Sequence, residues 1–504
     1  MVFHHLSGRI GGSMWRQISS RRLQRTSLVF LLCLSFLLGV GLARHGTLID
    51  SSWWWLALLG ITFTIKRRQV WCGLWIIALG LSLGWWRGSL YVVKLADYQM
   101  LSHQKITIVG RATADAVYDK HKQLSFDVVN PRIESSGQSL KGKVGVSGFG
   151  LNAVFAGDEV RATASLYPAR GSYQARVSFA KLELVAHHPT LITELRSRFV
   201  AGMQSALPEP VASFGLGLLV GQRNTLPPEV SQMLLMVGLT HIIAVSGYNL
   251  TILLRASKKL LGKRSRRQAA LLSLVLIIIF LLIAGSSASI VRAAIVSVLS
   301  IAAGYYGRTI KPLLLIVLAA SITAFANPFY VWSDVSWYLS FLAFFGVMVL
   351  APMLLEHFPE RLRNSLVFTV ALESLCAEVM TLPYVLHIFG QMSFVGLVSN
   401  VLVVALIPLA MLLSLVAGLA GMLLPALAGW FAWPALLLLT YMLDVTSLLS
   451  RIPHVFIQNV GLSLSELLIM YVSIAVVCGL LYRKTKPKYG MITDRNSSKT
   501  EGAY

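Results

Sequence analysis

Two hydrophobic patterns divide this chain. Unbroken apolar runs occupy residues 28–43, 52–65 and 70–86, and they return from about residue 211 almost to the C-terminus. Runs near the length that crosses a bilayer predict membrane helices. Further crossings are predicted at 230–254, 268–286, 290–306, 312–327, 331–355, 365–386, 393–424, 426–450 and 465–482. With the first three the total is about twelve, and 393–424 is long enough for two. The run 52–65 is barely long enough, so a tilted or re-entrant helix stays open there. Trp53, Trp54, Trp55, Trp85 and Trp86 stand where an interfacial aromatic belt forms.

Between these runs, residues 94–188 turn polar and β-branched, with period-two alternation that predicts strands at 105–112, 124–129, 143–149, 159–167 and 173–185. In the last, Tyr173, Ala175, Val177 and Phe179 fall on one side, and Gln174, Arg176 and Ser178 on the other. Five strands in this length fit a small barrel, with an OB-like fold first among the choices. An amphipathic stretch, 191–207, follows Pro189. The fold class is therefore a polytopic α-helical membrane protein with an inserted all-β OB-like domain. Its parts are N-terminal helices at 1–93, the β-domain at 94–188, a second helical domain at 189–482 and a basic tail at 483–504.

Composition agrees. Of 504 residues, 56% are hydrophobic and 13% charged, which excludes a soluble enzyme, a disordered chain and a disulfide-stapled secreted domain. Cys33, Cys72, Cys376 and Cys478 lie in apolar runs without metal-type spacing. The N-terminal arginines ahead of 28–43 resemble a signal peptide, but the two apolar runs that follow make a membrane insert simpler.

The net charge of +23 is distributed in a way that tests topology. Cytoplasmic loops concentrate Lys and Arg. One orientation puts every basic cluster inside: the N-terminal arginines, Lys66 to Arg68, the dense loop from Arg255 to Arg267, Arg308 with Lys311, Arg361 with Arg363, and the tail from Arg483. Both termini are then cytoplasmic and the β-domain lies outside. Topology thus accounts for much of the charge without nucleic acid.

Polar groups within apolar runs are costly and usually face a bundle interior or a water-filled path. His241, Asn249, Arg292, Asp334, Glu373, Glu378, His387, Asn400 and Asp444 are such groups. Each alone is as readily a hydrogen-bonded packing residue; together they predict a polar cavity. In Gly238 to Leu250, Ser246-Gly247 is the expected break of a pore-lining helix, with close helix packing as the alternative. Arg292 follows the small-residue stretch Gly285 to Ser289, where a helix N-terminus favours an anion; snorkelling or pairing with Asp334 is the other reading. Pro383, expected to break or kink its helix, precedes the polar stretch Gly390 to Gly396 and Asn400.

These residues resemble the ComEC family of competence DNA-uptake channels. The resemblance is carried by Gly238-Leu-Thr-His241 with Ser246-Gly247, by Gly285, Ser289 and Arg292-Ala293-Ala294, and by Asp334-Val-Ser-Trp-Tyr-Leu-Ser-Phe341. It continues through Leu382-Pro383 and Phe389-Gly390-Gln391-Met-Ser393 to Asn400, and extends to the order of the parts. It implies passage of single-stranded DNA across the cytoplasmic membrane during natural transformation. Channel-lining or transport roles then fall to His241, Ser246, Gly247, Asn249, Arg292, Asp334, Gln391 and Asn400. In the β-domain, Arg111, Lys120, Lys122, Arg170 and Arg176 are candidate phosphate contacts. Tyr118, Phe126, Phe149, Tyr167 and Tyr173 are candidate stacking surfaces, although alternating aromatics more often form barrel core.

The implied partners are single-stranded DNA, the lipid bilayer, a DNA receptor, a separate nuclease and a cytoplasmic DNA motor. No cofactor or metal is expected. Many family members carry a metallo-β-lactamase-like domain, but the sequence has no H-x-H-x-D-H cluster, so nuclease activity is not expected. No P-loop pattern occurs either, so energy for transport would come from a partner or an ion gradient. Gly148 to Ala153 matches a loose dinucleotide pattern without a following helix and is read as coincidence. An intramembrane hydrolase using Ser246 and His241 is disfavoured, because five residues on a regular helix set them roughly 140° apart. The main alternative is a transporter or exporter of another anionic substrate on the same scaffold; a non-conducting DNA tether is the third.

Overall fold

The computed structural model describes residues 24–44, 70–113, 116–118, 123–155, 157–168, 173–187, 191–221, 226–243, 265–284, 288–308 and 311–495. Along the chain these form helices α1 (Arg25–Ala43) and α2 (Val70–Met100), then strands β1 (Lys105–Ala112), β2 (Val117–Tyr118), β3 (Leu124–Ile133), β4 (Lys143–Phe149), β5 (Glu159–Pro168) and β6 (Ala175–Ala186). Next come α3 (Leu191–Ala206), α4 (Val211–Val220), α5 (Pro228–Met236), α6 (Thr240–Ile243), α7 (Arg266–Ala284), α8 (Ala288–Tyr305), α9 (Pro312–Ala326), α10 (Phe329–Ser333) and α11 (Val335–Phe345). A π-helical turn, Gly346–Leu350, leads to α12 (Ala351–Leu355), α13 (Glu360–Arg363), α14 (Leu366–Phe389) and β7 (Gln391–Ser393). The chain ends with α15 (Gly396–Val403), α16 (Ile407–Leu423), α17 (Ala428–Ser450), β8 (Phe456–Gln458) and α18 (Leu464–Arg495).

Among the described residues, seven helical stretches are long and apolar enough to cross a membrane: Arg25–Ala43, Gly73–Met100, Val335–Leu355, Phe368–Phe389, Gly396–Leu423, Pro425–Ser450 and Leu464–Leu481. That is fewer than the expected dozen. The runs at 268–286, 290–306 and 312–327 form shorter apolar helices, Arg267–Leu281, Ser289–Tyr305 and Pro312–Ala326. The run at 52–65 lies outside the described residues. The expected helix at 230–254 is not continuous over its first half: α5 ends at Met236, Gly238 adopts a left-handed φ of 77°, and α6 starts afresh at Thr240. A glycine takes that conformation without a Cβ penalty; the expected break at Ser246-Gly247 lies outside the described residues.

Residues Met1–Thr190 with Gly307–Tyr338 form one compact unit, and Leu191–Tyr306 with Leu339–Tyr504 form the other. In the first, α1 and α2 pack closely because Gly39, Gly80 and Gly84 let the backbones meet; a Cβ on Gly84 would strike Phe36 O. Helix α9 joins them, with Ala324 buried beside Phe36 and Val40. Arg87 donates to Phe325 O at 2.8 Å and Ala326 O at 3.0 Å, which satisfies carbonyls at the C-terminal end of α9.

Helix α2 continues past its apolar stretch into the β-domain, where Tyr98 joins the barrel core and donates to Lys141 O at 3.2 Å. The barrel closes in the order β1-β3-β4-β6-β5-β1, with β4 and β6 parallel and the other pairs antiparallel. This is a five-stranded Greek-key barrel, as the OB-like reading requires. Strict alternation buries Val160, Ala162, Ala164 and Leu166 on β5 and Val144 and Val146 on β4.

Strand β6 departs from its expected alternation. The register shifts between the pairs Val146↔Val177 and Gly148↔Ala180, and Phe179 takes a φ of 57°. A bulge moves Phe179 to the outside, 69% exposed, and hands the core positions to Ala180 and Leu182.

In the second unit, α3 packs on α16 through Gly202, Gly418 and Gly421, with the Phe199 ring against Gly418. Their apolar core extends to Leu239, Ile242, Ala293, Val403 and Leu439. Helix α14 runs through Pro383 instead of ending there, and stops at Gly390, whose φ is 63°.

Candidate functional site

Some of the polar residues singled out in sequence meet, at one place in each unit. In the first unit the place is the barrel face formed by β3, β4 and the start of β6. The Tyr173 ring lies over Gly145, where a Cβ would be 3.5 Å from its Cδ1. Lys143 Nζ stands 5.0 Å and Arg176 Cζ 5.5 Å from the ring centroid. Lys143 also pairs with Asp127 at 2.5 Å. Burial pushes the Tyr173 phenol up to about 12, with the Asp127 charge and hydrogen bond adding to it, Arg176 opposing, and Asp334 adding a smaller share. The phenol therefore stays neutral at physiological pH, an aromatic surface flanked by two cations.

Sequence reasoning placed Tyr173 and Arg176 here but missed Lys143, which reaches them only through the parallel β4–β6 pairing. It also grouped Gln174 with Arg176 on one side of the strand. Gln174 is 7% exposed, accepts from Lys143 N and donates to Tyr91 Oη at 2.8 Å, so it ties the barrel to α2. Phe126 is 4% exposed and belongs to the barrel core, which removes it as a stacking surface. Phe149 and Tyr167 are exposed. Arg111 and Arg176 are exposed and form no ion pair among the described residues, whereas Arg161 is held by Glu134 and Glu183. Tyr118 lies on β2, and Lys120, Lys122 and Arg170 fall outside the described residues.

Asp334, also in this unit, is buried at the junction of α10 and α11. Its Oδ1 accepts from Trp337 N at 3.1 Å, the side-chain bond of a helix N-cap. Trp337 Nε1 in turn donates to Thr323 Oγ1 at 3.0 Å. The Asp334 motif therefore has a clear structural duty in starting α11.

In the second unit, two of the three polar stations meet. Ser399 Oγ donates to Val237 O at 2.7 Å, and a Cβ on Gly238 would sit 3.4 Å from both Gly396 Cα and Ser393 Cβ. Thus the break at Gly238 and the stretch from Gly390 to Asn400 form one locus. His241, one residue into α6, is exposed, and its Nδ1 lies 3.1 Å from Gly238 O. Gln391 is half-buried on β7 and pairs with Gln458, a ribbon the sequence did not signal. Asn400 is 8% exposed and its Oδ1 lacks a hydrogen-bond partner among the described residues. Ser246, Gly247 and Asn249 lie outside the described residues.

The third station is Arg292 on α8, 1% exposed and the largest wholly buried side chain among the described residues. Its neighbours Ala293 and Ala294 belong to the same core as Leu239 and Val403. A guanidinium so placed does not snorkel to an interface; it faces the helix-packed interior.

Residues 218–484, just over half of the chain, match the model of the family described as Competence protein. The chain belongs to that family. Within the competence region lie His241, Arg292, Asp334, Gln391 and Asn400, while the barrel residues precede it. The chain is also similar to ComE operon protein 3 of Bacillus subtilis (strain 168), with 25% identity over 273 residues, 52% of this chain and 34% of that protein. The match thus spans about a third of that relative's length. No solved structure matches. As a competence protein the chain is membrane-embedded and multi-pass, with a β-barrel inserted among its helices.

Proposed function

We propose that this protein provides the path by which single-stranded DNA crosses the cytoplasmic membrane inward during natural transformation. The observation that carries the reading is the competence-family match from α4 to α18, which takes in the locus at Gly238 and Asn400 and the buried Arg292. In this reading both termini are cytoplasmic and the barrel is outside, following the basic clusters. The shorter apolar helices and the run at 52–65 complete about twelve crossings. Arg292 guides phosphates, and His241, Ser246, Gly247, Asn249, Gln391 and Asn400 line or shape the path, with Asp334 fixing the start of α11.

The barrel would receive the strand at Lys143, Tyr173 and Arg176, supported by Arg111. Lys120, Lys122, Tyr118 and Arg170 are further contacts on the same domain. A DNA receptor, a separate nuclease and a cytoplasmic motor are the proposed partners.

The test is entry of labelled DNA into the cytoplasm of cells lacking the gene, with and without the wild-type copy. Loss on deletion and recovery on complementation support the path. Entry that survives deletion removes DNA uptake and favours transport of another anion.

On the purified full-length protein, Tyr173→Ala is expected to weaken single-strand binding by about 1–3 kcal/mol, the worth of one stacked base. Arg176→Ala is expected to lower the salt slope by about one phosphate contact without changing sequence preference. Fluorescence anisotropy across a salt series separates the two; equal slopes in wild type and Arg176→Ala would remove Arg176 from the interface.

A further inference from the structure

We propose that Glu378 is a proton-binding site in the membrane-embedded second unit, and that its protonation and deprotonation accompany each transport step. What is coupled to the proton rests on the function proposed above; the site itself does not.

Glu378 lies on α14, within the span Phe368–Phe389. Its Oε2 is buried without a hydrogen-bond partner among the described residues, and no ion pair there includes it. Its Oε1 reaches the Gly238 locus: a Cβ on Gly396 would lie 2.9 Å from it. Ser393 Oγ, 3.7 Å from the Cβ position of Gly238, is likewise buried and unpartnered, as is Asn400 Oδ1 one turn beyond Gly396. Two glycines thus leave room for a carboxyl where three oxygens lack donors among the described residues.

A carboxylate at membrane depth is costly unless something neutralises it. No basic side chain does so among the described residues. A divalent cation takes six or more oxygen ligands, and no cluster of three His, Cys, Asp or Glu side chains occurs among the described residues. A proton needs only the carboxyl. It bonds to one carboxylate oxygen, leaves a neutral acid that can donate to a nearby oxygen such as Ser393 Oγ, and returns to water when the locus opens.

The surrounding titratable groups are otherwise engaged or lie elsewhere. The π-helical turn Gly346–Leu350, β7, α15 and the short turn Val404–Leu406 contain none. On α18, Tyr471 donates to Met380 O at 3.0 Å, Glu466 binds Ser463 and Cys478 packs in the apolar cluster with Cys376. Glu356 follows α12, and on α13 Glu360 pairs with Arg363 beside Arg361. On α14 itself are Glu373, Cys376, Tyr384 and His387, whose Nδ1 meets Leu462 O at 2.8 Å. His241, on α6 beyond the Gly238 break, has its Nδ1 3.1 Å from Gly238 O.

The test uses the full chain in lipid nanodiscs and in cells. Infrared difference spectra between acidic and alkaline buffer are expected to show a protonated-carboxyl band that Glu378→Gln abolishes and Glu373→Gln keeps. In cells Glu378→Gln, which mimics the neutral acid but cannot release it, is expected to lower DNA entry about tenfold at unchanged membrane level, while Glu378→Asp retains part of it. Absence of the band in wild type overturns the site. A band with wild-type uptake in Glu378→Gln overturns the coupling. Wild-type cells that import no DNA while the band behaves as expected defeat the DNA reading and leave the proton site standing.

Discussion

Arg292→Ala is expected to lower DNA entry by about ten- to hundredfold, the loss that follows when a charge-assisted contact is removed. The guanidinium is 1% exposed on an apolar helix, where a charge is costly to hold and, in the proposed function, meets a phosphate in a desolvated setting. Arg292→Lys keeps the charge but loses the planar fork that fits a phosphate bidentately, and is expected to fall between wild type and alanine. Because Arg292 also packs beside Ala293 and Ala294, entry must be scaled to the amount of protein in the membrane. If Arg292→Ala accumulates normally and imports DNA at the wild-type rate, Arg292 is a packing residue and not a phosphate guide. Proportional loss of protein and uptake, with Arg292→Lys restoring both, would assign it the same packing role.

The barrel was legible because its strands bury one face, and one-sided burial writes period two into the sequence. Strands β1 and β4 fall where the alternation puts them. The bulge at Phe179 was not legible, since one extra residue reverses the phase without any unusual composition. The burial of Gln174 was not legible for a related reason: its partner Tyr91 lies 83 positions away on α2, and nothing local announces that contact. Among the membrane helices, Ser246-Gly247 drew attention as a polar pair, yet Gly238 makes the break within the described residues. The distinguishing cause is tertiary: Gly238 must pass close to Gly396 and Ser393. The same contact explains why Glu378, legible as a misfit charge, acquired a setting only in three dimensions.

Gly421→Leu is expected to have the largest effect on stability. At the crossing of α3 and α16, a Cβ on Gly421 would overlap Gly202 O, and one on Gly202 would come within 2.6 Å of Met422 N. These obstacles are backbone atoms, which cannot rotate away as a side-chain tip can. Even modest overpacking of a fitted core costs about 1–3 kcal/mol, and a leucine here must push the two helices apart. Most of the protein is therefore expected to be lost from the monodisperse peak after detergent extraction, with a lower thermal midpoint in the remainder. Gly479→Leu supplies the comparison, because it introduces the same side chain into another apolar span where a Cβ would meet nothing within 4 Å. That variant is expected to stay within about 0.5 kcal/mol of wild type. Hydrophobicity and helix propensity change alike in the two, so a difference between them measures the close approach of α3 and α16. Equal yields and midpoints would mean that the two helices do not meet at Gly421.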